Sequence, residues 1–123
     1  VKHEAILEVG IGENNRLFVR PIESDFAHIF RTASGVNWDK EKRALLGSES
    51  REWSASLWFE NILISVADEY GIVLLIAPST RWSGVDSKSQ SEMETFSESD
   101  WANQFLARQR EAGVRHLMDL QLS

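Results

Sequence analysis

The stretch from Arg51 to Gly71, REWSASLWFENILISVADEYG, restricts what this chain can fold into more than any other. Taken at about 100° per residue, Ala55, Trp58, Phe59, Ile62, Leu63, Val66 and Tyr70 fall on one continuous apolar stripe, which predicts a long helix seated on a core. Ser50 is a suitable cap, Glu52 complements the dipole in the first turn, and Gly71 closes the helix because it takes the left-handed conformation without strain. A second apolar set lies on the far side. Trp53, Leu57 and Ile64 line up there, interrupted by Glu60 and flanked by Asn61 and Asp68. Left in water, each would forgo about 1.5 to 3 kcal/mol of burial, so a covering surface is expected. Three candidates stay open: another part of the chain, a partner protein, or a ligand. A partner reading makes Trp53, Leu57, Glu60 and Ile64 an interface, with a two-fold contact between identical helices as its simplest form.

The remaining elements follow from local pattern. Glu4 to Ile11 alternates, with Ala5, Leu7, Val9 and Ile11 on one face and Glu8 on the other. Gly12 to Asn15 supply a turn, and Arg16 to Ile22 pair back, with Pro21 near the end of that strand. Phe26, Ile29, Phe30 and Ala33 have helical spacing behind Ser24 or Asp25 as cap, predicting a short helix that ends near Gly35. Val36 to Trp38 and Arg43 to Leu46 form a second hairpin around a charged turn at Asp39 to Lys42. Ile72 to Ala77 is apolar on both faces, as in a central strand, and Pro78 terminates it.

Beyond Pro78, the residues from Ser79 to Gly84 read as a loop. Asp86 to Ser99 is Ser-rich and acidic with only Met93 and Phe96 to bury, so a mobile segment with at most one helical turn is expected. A further helix runs from about Asp100 to Ala112, capped by Ser99 or Ser97 and closed by Gly113. The tail alternates at Met118, Leu120 and Leu122 and reads as a final strand, with extension of the helix as its rival. Residues 1–123 are read as one α+β domain. Its sheet is mixed and mostly antiparallel, with one long and two shorter helices packed on it.

Composition removes several classes of function. With no cysteine there is no disulfide, thiolate metal site or thiol nucleophile. Nineteen acids against thirteen Lys and Arg give a net charge of -6, which repels phosphate backbones and favours a basic or uncharged partner over nucleic acid. The apolar run from Ile72 to Ala77 is far short of the ~20 residues that a spanning helix needs, so no membrane partner is expected. The opening residues lack a signal-peptide pattern, so cytoplasmic residence is expected.

The three histidines share no ligand spacing, and neither a metal nor a cofactor is expected. No nucleophile elbow, phosphate-cradling loop or metalloprotease motif is present, so the sequence leans away from an enzyme. Five tryptophans stand out. Trp58 and Trp101 fall on predicted core faces. Trp82 follows a strand end beside Arg81, where the two could grip an anionic or planar ligand, or else cover the core and pair with a carboxylate. Glu69, in the last turn of the long helix, would be the acid of such a pocket if buried.

The runs GVNWDKEKRALLGS, REWSASLWFENIL, ADEYGIVLLI and TRW, within residues 35–82, resemble uncharacterised small bacterial proteins of the integron gene-cassette kind. That resemblance implies a soluble bacterial accessory protein with an α+β fold and assigns no site residue. The sequence therefore points to a non-enzymatic accessory protein acting through protein contact, with a homodimer or a charge-complementary protein as partner. A small-molecule pocket near Trp82, Arg81 and Glu69 is the alternative.

Overall fold

The computed structural model describes residues 2–29, 35–48 and 53–122, the last eleven by their backbone alone. Strand β1 (Lys2–Ile11) is the centre of the sheet. On one side it pairs antiparallel with β2 (Leu17–Pro21), as the predicted hairpin requires. Beyond β2 lie β4 (Ala44–Leu46) and β3 (Asn37–Asp39), the second hairpin, giving the order β3-β4-β2-β1-β5. Strand β5 (Ile72–Leu75) runs parallel to the start of β1, and β6 (Arg81–Ser83) runs parallel to its later part. The sheet is thus mixed and mostly antiparallel. Among the described residues three α-helices complete the fold: α1 (Ala55–Tyr70), α2 (Ser87–Glu98) and α3 (Trp101–Leu122). Among the described residues, no helix is long and apolar enough to cross a membrane.

A one-residue bulge at Leu7 alters the simple alternation of β1. Ile6 stands opposite Pro21 and Glu8 opposite Arg20, so Leu7 is extra. Ile6 and Val9, which uninterrupted alternation would put on opposite faces, both enter the core. The inner face of the sheet then carries Val9, Val19 and Leu45, against which α1 packs Trp58, Phe59, Ile62, Leu63, Val66 and Ala67. This is the predicted stripe, with Ala67 added and with Ala55 and Tyr70 at its margins. Gly71 closes α1 at φ 66°, as its position required.

Several expectations are corrected. The helix does not begin after Ser50: Ser54 is the cap, its hydroxyl accepting from the Leu57 N–H, and Trp53 precedes the helix. Ser50 and Glu52 lie outside the described residues. The short helix expected over 26–35 falls partly outside them as well; Phe26 and Ile29 are buried, and the described part is a turn closed by Ile29 N–H to Phe26 O. Strand β5 is buried at Val73 and Leu74 as expected, but it ends the strand order rather than sitting at its centre.

The supposed loop at 79–84 contains β6, and the acidic segment forms the twelve-residue α2. Nothing between Asp86 and Ser99 breaks a helix, since Gly and Pro are both missing there. Met93 buries fully, Phe96 packs on Trp101 and Phe59, and the Ser97 hydroxyl accepts from the Ile76 N–H, so few contacts suffice to hold it. In the tail, the helix passes through Gly113 to Leu122 in place of a final strand. A glycine inside a helix costs only about 1 kcal/mol, and Leu, Met, Arg and Gln around it are strong helix formers.

Candidate functional site

The N-terminal half of α1 and the facing side of α2 flank an open, shallow groove of 540 Å³, lined by Ser54, Ser56, Leu57 and Glu60 from one side and by Ser91, Glu92, Thr95, Phe96 and Ser99 from the other. Helical spacing puts Leu57 and Glu60 on one face of α1, and the Ser56 hydroxyl ties the groove together by donating to Glu92 Oε2 at 2.7 Å. Leu57 remains 48% exposed. Burial, and then the nearby Glu92 carboxylate, push the Glu60 carboxyl above its usual range. The groove is therefore apolar at Leu57 and Phe96 and electrostatically uncomfortable at its two acids.

The other members of the expected ridge are placed differently. Trp53 is 44% exposed, yet its ring leans on Trp58 with centroids 4.8 Å apart. Trp58 in turn lies against the backbone of Gly47, where an added Cβ would come within 3.0 Å of the indole. Ile64, two turns on from Leu57, is half-buried and packs on the core cluster. Of the four proposed interface residues, Leu57 and Glu60 line the groove, whereas Trp53 and Ile64 are not part of its lining.

The expected pocket at Arg81, Trp82 and Glu69 is not assembled. Trp82 stands opposite Val9 on the inner face and packs against the core. Arg81, one residue earlier, points to the other face and lies 3.9 Å from Glu8. Glu69 is half-buried in the last turn of α1, at the end where Lys2 N–H meets Gly71 O. At strand rise, Lys2 and Glu8 are about 20 Å apart, which separates Glu69 from Arg81 and Trp82. Among the described residues, no group of three or more His, Cys, Asp or Glu could hold a metal ion.

Sequence reasoning missed the α2 half of the groove. Its signal was the absence of helix breakers from Asp86 to Ser99, with Glu92 and Phe96 one turn apart.

The family described as Integron Cassette Protein Hfx_Cass5 matches residues 4–80, from the first strand to the turn before β6. The chain belongs to that family. It is similar to a solved structure titled "Structure from the mobile metagenome of North West Arm Sewage Outfall: Integron Cassette Protein Hfx_Cass5", at 32% identity over 80% of this chain and 99% of the other. The TM-score is 0.41, so membership rests on sequence and not on superposition. No curated protein matches. The matched region carries α1 with its Leu57 and Glu60, whereas α2 lies beyond it.

Proposed function

We propose that this protein acts by holding a partner protein in the groove between α1 and α2, with Leu57 as the apolar anchor and Glu60 as the charged one. The observation that carries this reading is the exposure of Leu57 directly beside a carboxylate that burial and Glu92 hold above its usual titration range. A Lys or Arg from a partner entering the groove would neutralise that site, and a neighbouring apolar side chain would cover Leu57 and Phe96. The net charge of -6 draws a basic partner toward the protein over long range. A symmetric homodimer through the same surface would set Glu60 and Glu92 against their own copies, so a charge-complementary partner fits the groove better.

The test is a titration with an amphipathic peptide of alternating Leu and Lys faces, followed by amide chemical shifts. Saturable shifts at Leu57, Glu60, Glu92 and Phe96, lost in Leu57→Asp and weakened in Glu60→Gln, are expected. Shifts that map elsewhere, or that survive Leu57→Asp, overturn the reading. Sedimentation velocity of the same proteins gives the surface to a second copy instead if wild type is a dimer and Leu57→Asp a folded monomer.

A further inference from the structure

A second concavity, independent of the groove, opens on the outer face of the sheet. Strand pairing puts Glu8 and Gly10 of β1, Phe18 and Arg20 of β2, and Ala44 and Leu46 of β4 on this face, opposite the one that α1 covers. The turns at 12–16 and 39–42 rise as walls, and the enclosed volume is 510 Å³. That lies within the ordinary range of small-molecule sites, about 300 to 1,000 Å³. No residue of α1, α2 or α3 lines it.

The floor is apolar. Phe18 lies across Gly10, where any Cβ would overlap its ring, and Leu46 and Ala44 continue the surface toward β3. The glycine thus lets an aromatic ring lie flat on the strand instead of standing off it.

Glu8 is already engaged. It accepts from Arg20 Nη1 at 3.0 Å and from Ser83 Oγ at 2.6 Å, with Arg81 at 3.9 Å. The Ser83 hydrogen bond, outweighing burial, together with the Arg20 hydrogen bond and the Arg81 and Arg20 charges, holds its carboxyl below its usual value. A fixed Glu8 orients the Arg20 guanidinium, whose buried Nε–H has no acceptor among the described residues. On one wall, Arg16 uses Nε on the Gly47 carbonyl at 2.8 Å, leaving its terminal nitrogens without an acceptor among the described residues. On the other wall Asp39 is occupied, accepting from the Glu41 and Lys42 amides, and Lys42 is among the lining residues.

We propose that this outer-face cleft binds a small organic carboxylate bearing an aromatic or branched apolar group. The carboxylate meets the unused terminal guanidinium nitrogens of Arg16, with the positive charge of Arg20 beside it, and the apolar group lies on Phe18 and Leu46. Guanidinium donors match a carboxylate in plane and in charge, and the ring beneath supplies contact area without any directional demand. Glu13 and Glu41 on the rim disfavour multiply charged anions, which selects one carboxylate over a phosphate.

Phenylacetate and 3-methylbutanoate, each paired with its neutral amide, are the probes. Amide shifts at Phe18, Arg20, Ala44 and Leu46 should saturate with the acids, and the amides should bind at least tenfold more weakly. Arg16→Gln, on the wall and outside the Glu8 cluster, should weaken the acids about tenfold without altering the fold, and Phe18→Leu should weaken phenylacetate more than 3-methylbutanoate. Absence of saturable shifts with both acids, equal binding of acid and amide, or equal binding of inorganic phosphate each overturns the assignment. Leu57→Asp should leave these titrations unchanged, which separates this site from the groove.

Discussion

The Thr80 hydroxyl donates a 2.7 Å hydrogen bond to the Ile6 carbonyl, 74 residues away, and accepts one of 2.8 Å from the Ala77 N–H. Ile6 is the last residue before the bulge in β1, and Thr80 is the last before β6. One buried hydroxyl therefore joins the end of the β5 pairing to the start of the β6 pairing on the same edge of β1. It delivers Arg81 and Ser83 to Glu8.

Thr80→Val keeps the shape but leaves the Ile6 carbonyl and Ala77 amide without this partner, and should cost about 1 to 3 kcal/mol. Urea unfolding measures the loss, and Thr80→Ser should recover most of it. Amide exchange at Trp82 and Ser83 should quicken in Thr80→Val. Unchanged exchange there would mean that the hydroxyl does not hold β6.

Glu4 is buried and accepts hydrogen bonds from the Glu23 and Ser24 amides and from the Ser24 hydroxyl. Burial alone would raise its carboxyl, but these bonds outweigh it and hold the group below its usual value. A lowered folded value means that the stabilisation is complete above the unfolded value and is lost as pH falls through the folded one. Glu4→Gln should lower stability at neutral pH by about 2 kcal/mol, and the gap from wild type should close with acid in urea titrations.

Glu60 carries the opposite sign. Its raised folded value means that the ionised carboxylate opposes folding at neutral pH, and that the penalty disappears as pH falls through the folded value toward the unfolded one. Glu60→Gln should be more stable than wild type at neutral pH, and the two urea midpoints should converge on acidification. A Glu60→Gln midpoint below that of wild type at neutral pH would show that the carboxylate is already neutralised within the free protein.

Gly10→Ala would drive a methyl group into the Phe18 ring and within 2.9 Å of the Ser83 carbonyl. The ring can swing aside, but the β6 backbone has to yield. A loss of about 1 to 3 kcal/mol is expected by thermal unfolding, with the aromatic signals of Phe18 shifted and carboxylate binding in the cleft impaired. Gly71→Ala meets no neighbouring atom and should cost only the strain of its positive φ, about 1 kcal/mol.

Much of the fold was legible because short-range patterns encode it. The stripe from Trp58 to Val66, the glycine at 71 and the two hairpins all depend on residues within one or two turns of each other. The α2 helix escapes a reading by composition because what permits it is the lack of breakers, and the alternation in the tail spans only five residues, too few to outweigh the helix-forming Leu, Met, Arg and Gln around Gly113. The groove was half legible. Leu57 and Glu60 announced a second face on α1, but Glu92 and Phe96 needed α2 to exist.

By itself the sequence determined the core-facing stripe of α1, the hairpins, family membership and an acidic surface, since periodicity, turn chemistry and net charge are local or additive quantities. Tertiary structure alone decided which long-range partners meet. A single extra residue at Leu7 rotated one half of β1 relative to the other, and with it chose the face that Glu8 shares with Arg20 and the edge that Thr80 fastens. Pairing register has period two, so a shift of one residue exchanges inside for outside, and no local pattern records where such a shift falls.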